Sequence, residues 1–250
     1  MKRFEHDGVE IAFIDEGQGE PIVLVHGFAS TAEVNWVYPG WVATLTQAGR
    51  RVIALDNRGH GASSKPYDSA AYHSALMAQD ISALLDHLQL GSADVMGYSM
   101  GARITAFFAL AHPKRLHRAI FGGMGMHLVN GVGGSESIAE ALEASSLADV
   151  HDPRGRMFRA FAEHTKSDLK ALAACARGSR QSLTPDQLTQ IRTPVLVAVG
   201  TKDVVAGSPH ELAALLPCGR ALDIPERDHM LAVGDKVFKQ AVSRFLAEQP

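Results

Sequence analysis

Cysteine is scarce in this 250-residue chain. Its two copies, Cys175 and Cys218, lie too far apart for a C-x-x-C redox motif or a zinc-binding pair, so two free thiols are expected. A basic surplus is also missing. The 24 Lys and Arg residues against 27 Asp and Glu leave a net charge of −3, which offers nothing to a phosphate backbone and excludes nucleic acid as an expected partner. No run approaches 18 consecutive apolar residues, so no membrane span is expected. A signal peptide would need an apolar run where Phe4-Glu5-His6-Asp7 stands, and the expectation is a soluble, cytoplasmic protein. The 12 histidines form neither H-E-x-x-H nor H-x-H, so neither a metal nor a cofactor is expected. Apolar residues, at 46%, are plentiful enough to offset the conformational entropy of folding.

Those apolar residues come in short runs. Ile22–Val25, Arg51–Leu55, Ala93–Met96, Ala119–Phe121, Pro194–Val199 and the weaker Ala221–Ile224 read as strands, and their continuity suits strands covered on both faces. Between them, Met77–Leu88, Ile104–Ala111 and Val237–Leu246 carry helical spacing. Thr184-Pro185-Asp186-Gln187 and Ser208-Pro209-His210-Glu211 each read as a helix start with an N-cap, a Pro at the first position and a capping-box partner. Alternation of this kind implies an α/β fold with a mostly parallel sheet and right-handed crossovers. Val9–Ile14, after the Asp7-Gly8 turn, adds an antiparallel hairpin. One region breaks the rhythm. Residues 125–192 contain no strand pattern, only helical patterns at Ile138–Leu147, Arg156–His164 and Leu169–Ala176, with Ser137–Glu140 as a capping box for the first. A helical insertion is the reading, too small to fold alone.

Gly97-Tyr98-Ser99-Met100-Gly101 is the central chemical signal. A G-x-S-x-G between a strand and a helix forms a sharp turn that exposes the serine hydroxyl at a helix N-terminus. Serine is a weak nucleophile without a base. His229, in the loop between the last strand and the last helix, reaches the same sheet edge, whereas His210 lies in a helix and His112 and His117 lie at the opposite edge. The base needs a carboxylate to fix its tautomer. Asp203, after the Pro194–Val199 strand, is favoured over Asp228, whose side chain diverges from that of its neighbour His229. The exit of the Ala119–Phe121 strand, Gly122-Gly123-Met124, holds no acid. Oxyanion donors are expected at the backbone N–H groups of Met100 and Phe28, the latter in His26-Gly27-Phe28.

These motifs, with Asp56-Asn57-Arg58-Gly59-His60-Gly61, resemble those of the α/β-hydrolase fold superfamily across the whole chain, and most closely its serine esterase-like, carboxylesterase group. The resemblance implies an eight-stranded sheet flanked by helices, with a small helical cap after the sixth strand. Residues 1–124 and 193–250 would form the core and 125–192 the cap. It also implies structural support from Asp56–Gly61. Ser99 stands where dehalogenases and epoxide hydrolases carry Asp, and Phe28-Ala29 replaces the extra glycines of H-G-G-G lipases. The expected activity is hydrolysis of small to medium uncharged carboxylic esters, lactones or polyesters by Ser99, Asp203 and His229. Tyr98, Met124, Met126, Leu128, Met157, Phe158 and Phe161 are expected to line the pocket. Residues 125–189 carry eight carboxylates and seven Lys or Arg, a balance that shows no charge preference. A carbon–carbon bond or enol-lactone hydrolase using the same triad is an alternative; action on acidic dienones would need a cationic subsite from Arg103, Arg177 or Arg180. A small-molecule receptor of the same fold is another alternative. The partner expected is a small-molecule ester, bound by a monomer or homodimer.

Overall fold

The computed structural model describes residues 1–248. Its eight strands are β1 (Lys2–His6), β2 (Val9–Glu16), β3 (Pro21–Val25), β4 (Arg51–Leu55), β5 (Ala93–Tyr98), β6 (Leu116–Gly122), β7 (Val195–Gly200) and β8 (Gly219–Ile224). They form one sheet in the order β1-β2-β4-β3-β5-β6-β7-β8. The pairs β1–β2 and β2–β4 are antiparallel and every other pair is parallel. The Asp7-Gly8 turn sets the β1–β2 hairpin, with φ of 56° and 71° at its two residues.

Alternate residues of each central strand face opposite cores, which is why these strands read as unbroken apolar runs. Val23, Val25, Ile53, Leu55, Val95, Phe121 and Val197 pack on one side, under α2 (Ser74–His87), α3 (Met100–Ala111) and a helix late in the chain. Ile22, Leu24, Val52, Ala54, Met96, Ile120 and Leu196 pack on the other, against Trp36, Trp41 and Phe238. Each fully buried side chain of this kind contributes roughly 1.5–3 kcal/mol. Trp41 opens α1 (Trp41–Gln47) and Phe238 lies in the final helix; their rings meet edge to face at 5.1 Å.

Between β6 and β7 the described chain is helical: α4 (His127–Asn130), α5 (Ser135–Glu143), α6 (Pro153–His164), α7 (Leu169–Gly178) and α8 (Pro185–Leu188). The last two helices are α9 (Pro209–Leu215) and α10 (Lys236–Ala247). The cluster that joins α5, α6 and α7 is thin. Five of its eight buried residues are alanine, and one of those, Ala29, belongs to the loop after β3. Thr165 at the end of α6 donates to the Ala29 carbonyl at 3.1 Å, fastening the insertion to that loop.

Caps explain most boundaries. Thr184 and Gln187 complete both halves of a capping box, and Ser208 accepts from the Glu211 N–H at 3.2 Å. The capping box expected at Ser137–Glu140 does not form. α5 starts three residues earlier, after Gly134 at φ 66°, and the Ser137 hydroxyl bonds back to the Gly134 carbonyl. No helix among the described residues is long and apolar enough to cross a membrane.

Candidate active site

Ser99 alone makes the change of direction from β5 to α3, with φ 54° and ψ −113°. A side chain at such angles is strained by roughly 1–3 kcal/mol, so its surroundings must hold it there. Two glycines make the turn possible. A Cβ on Gly97 would stand 2.1 Å from the Gly101 carbonyl oxygen, and one on Gly101 would stand 1.9 Å from that of Val25. The Ser99 N–H donates to Gly122 in β6 at 2.8 Å, pinning the turn to the neighbouring strand.

His229, in the loop after β8, places Nε2 at 2.9 Å from Ser99 Oγ and Nδ1 at 2.7 Å from Asp203 Oδ2. Asp203 Oδ1 is occupied by the N–H groups of Val205 and Ala206 at 2.7 and 3.0 Å. The carboxylate is therefore fixed in a loop that turns around it, and its side chain is fully enclosed. An acceptor at Nδ1 selects the tautomer whose Nε2 can take a proton from the serine. Asp228 turns away from the imidazole, and its Oδ1 accepts from Met230 and Leu231 N–H. Tyr98 donates its hydroxyl to the His229 carbonyl at 2.6 Å, steadying the loop. Burial, reinforced by the charges of Asp203 and Asp228, holds the Tyr98 phenol well above its ordinary pKa, so it stays a donor.

The loop after β3 is braced from beneath. His26 Nε2 accepts from the Asn57 N–H at 2.9 Å while Nδ1 faces the Gly27 carbonyl at 2.7 Å. Asn35 accepts from the Gly27 N–H, and His60 Nε2 accepts from the Ala29 N–H. Burial pushes the His26 pKa down to about 4; burial and the adjacent His26 push His60 down to about 3. Both imidazoles are thus neutral acceptors. Asp56 accepts from Ala32 and Ala62, and Arg58 forks onto Asp80 at 2.7 and 2.8 Å. The backbone hydrogen bonds of loops and turns leave the N–H groups of Phe28 and Met100 unused, beside Ser99.

Two cavities meet at Ser99, Phe28 and Phe158. The larger, about 230 Å³, takes in His229, Tyr98, Met157 and Phe161, with Val34 and Val233. The smaller, about 40 Å³, is lined by Met100, Met124, Val132, Arg103, Arg154 and Arg180. Neither reaches Met126 or Leu128, which were expected on the wall. The start of α4 lies against the loop before α9, where Met126 N–H bonds Ser208, and Leu128 points down into the main core. Asn35 supports Gly27 from a short helical turn with no sequence motif of its own. Arg154 carries no sequence signal beyond being one more arginine in an amphipathic helix.

This sheet order, turn and loop arrangement have counterparts among known proteins. The family model for the alpha/beta hydrolase fold matches residues 20–130, from just before β3 to the end of α4. A Bacillus subtilis (strain 168) protein provisionally named 2-succinyl-6-hydroxy-2,4-cyclohexadiene-1-carboxylate synthase is 26% identical over 96% of each chain. A hydrolase from Pseudomonas aeruginosa PA01 superposes with a TM-score of 0.81 at 26% identity, covering 99% of this chain and 98% of that one. Est816, described as an N-acyl homoserine lactone degrading enzyme, gives 0.76 at 25% identity, with 98% and 100% covered. The chain has the α/β-hydrolase fold.

Proposed function

We propose that this protein is a serine hydrolase that cleaves small to medium carboxylic esters or lactones through an acyl-enzyme on Ser99. One observation carries the reading: the continuous row from Ser99 Oγ to His229 Nε2 at 2.9 Å and from His229 Nδ1 to Asp203 Oδ2 at 2.7 Å. His229 takes the hydroxyl proton as Oγ attacks the carbonyl carbon, and Asp203 stabilises the imidazolium. The carbonyl oxygen becomes an oxyanion held by the Phe28 and Met100 N–H groups, worth ~10²–10³-fold in rate for each donor. The carbon–oxygen bond then breaks, and the leaving alcohol takes its proton from His229. Water, deprotonated by the same imidazole, releases the acid and restores the serine.

The larger cavity, walled by Met157, Phe158 and Phe161, suits an uncharged apolar group of the substrate. A relative described as a lactone-degrading enzyme agrees with this chemistry. One observation favours a second reading, a carbon–carbon bond hydrolase acting on acidic dienones: Arg103 and Arg180 line the smaller cavity. Arg177, also considered for that role, is tied to Glu136 and Glu143 at 2.7 Å on the exterior.

A panel of p-nitrophenyl esters of rising acyl length tests the reading. Rapid multiple turnover by the native chain, lost in Ser99→Ala, is expected. Undiminished turnover by that variant overturns it, and a single slow turnover points to a receptor instead.

A further inference from the structure

Three guanidinium groups line the smaller cavity beside Ser99. Arg103 comes from the first turn of α3, Arg154 from the first turn of α6, and Arg180 from the segment after α7. Arg58, Arg159 and Arg177 each pair with a carboxylate, but among the described residues Arg103, Arg154 and Arg180 form no ion pair. Their hydrogen bonds go to single backbone carbonyls: Arg103 to Gln181, Arg154 to Val132 at 2.9 Å, and Arg180 to Gly133 at 3.2 Å. A guanidinium has five N–H groups, so most of this donor capacity is unspent. Arg154 Nε is enclosed without a partner.

This arrangement is costly without an anion. Arg103 is only 2% exposed, and a buried unpaired charge is strongly disfavoured. It also sits at the positive end of the α3 dipole, where a cation is repelled and an anion is favoured. Burial with repulsion from Arg180 draws Arg103 down to about 10, burial with repulsion from Arg154 draws Arg180 down to about 10, and burial lowers Arg154 against the attraction of Asp152. Guanidinium groups stay charged near neutral pH. A purely structural arginine looks different here. Arg159 closes the end of α5 with hydrogen bonds to the Ala141, Leu142 and Ala144 carbonyls and has Glu163 as counter-ion.

We propose that Arg103, Arg154 and Arg180 form a subsite for a carboxylate carried on the acyl part of the substrate. The volume fits: roughly 10–15 Å³ of such space holds one water, so about 40 Å³ takes three non-hydrogen atoms, a carboxylate group. The side of the substrate follows from the proton path. The leaving oxygen must lie near His229, which lines the larger cavity and not the smaller one. The acyl chain is left to run past Met100 toward the arginines. Its substrates are therefore acyl groups with a second, terminal carboxylate and an apolar leaving group. This departs from the uncharged acyl group that the composition suggested, and it rests on the serine-hydrolase reading for the word acyl.

The test compares p-nitrophenyl hydrogen succinate with p-nitrophenyl 4-methylpentanoate, in which two methyl groups replace the carboxylate oxygens. The native chain is expected to favour the charged ester at least ~10-fold in kcat/KM, as charge-assisted bonds of this kind allow. Arg180→Gln and Arg154→Gln should each cut that ratio ~10-fold or more, mainly through KM. Arg177→Gln, which removes the same charge from the exposed end of α7, should preserve it. Equal ratios in the native chain, Arg180→Gln and Arg177→Gln overturn the proposal. A second arm needs no hydrolysis: calorimetric titration of Ser99→Ala with methyl hydrogen succinate. Binding that disappears when Arg180→Gln is added supports the subsite even if neither ester is cleaved, and in that case only the acyl-enzyme reading falls. Absence of binding by the Ser99→Ala chain overturns the subsite.

Discussion

The two cavities that meet at Ser99 are made of different material. The larger is walled by Met157, Phe158, Phe161 and Tyr98, and the smaller by three guanidinium groups with Met100 and Met124. Yet both open on the same hydroxyl, carried by a residue that the backbone holds in place: a strained turn, two glycines without room for a Cβ, and a hydrogen bond to β6. The Ser99 hydroxyl is positioned by the sheet, while Arg154, Met157, Phe158 and Phe161 around it come from α6, between β6 and β7, and Arg103 comes from α3. Changes in the sheet frame should affect all substrates, and changes in the helical insertion should distinguish among them.

The largest effect should come from the shared atom. Ser99→Ala is expected to lower kcat/KM by at least ~10⁴-fold for every ester, charged or neutral, in steady-state assays. Asp203→Asn should follow at ~10³–10⁴-fold in kcat with KM little changed, because an amide at that position favours the wrong imidazole tautomer. Gly101→Ala attacks the frame itself. With a Cβ 1.9 Å from the Val25 carbonyl, the turn must shift, and a loss of ~3 kcal/mol or more should appear as a melting point lower by roughly 6–12 °C.

A pH effect belongs to the frame as well. His26 and His60 are neutral in the fold, with pKa values of about 4 and about 3 against an ordinary 6.5. The unfolded chain therefore binds their protons first as pH falls below 6.5. Their stabilisation is complete above that value and is lost as pH drops toward 4 and 3, at up to roughly 1.4 kcal/mol per pH unit for each histidine. Urea unfolding between pH 7 and pH 5 should show this slope, and His60→Gln should reduce it by about half. An unchanged slope in that variant contradicts a contribution from His60. The smallest effect lies on the apolar wall. Phe161→Ala should alter kcat/KM for the bulkiest leaving groups by roughly threefold to tenfold and spare the smallest.

How much of this could be read from the sequence follows the same division. The strands were visible because both their faces are buried, so periodicity collapses into unbroken runs such as Ile22–Val25. Ser99, Asp203 and His229 were visible because each stands at the exit of a strand, and chain order alone brings those exits to one edge. The structure places the three within hydrogen-bond reach. The insertion was harder. Its helices pack through alanine, which gives a weak apolar stripe, and the start of α5 depended on a glycine at positive φ rather than on a recognisable cap. Met126 and Leu128 were expected on the pocket wall because apolar residues near a site look alike in sequence. Whether such a residue faces a cavity or the core is decided by the docking of α4. Arg154 could not be singled out for the complementary reason. An arginine with a carboxylate partner and one without are the same letter until the fold supplies or withholds the partner.

The central claim is that Ser99 forms a covalent acyl intermediate. Mixing the protein with a p-nitrophenyl ester, quenching within the first turnover and measuring intact and peptide masses tests it most directly. An acyl mass is expected on the peptide containing Ser99, absent in Ser99→Ala and long-lived if deacylation is slowed. Product release with no adduct on that peptide at any quench time, or an adduct on another residue, contradicts it.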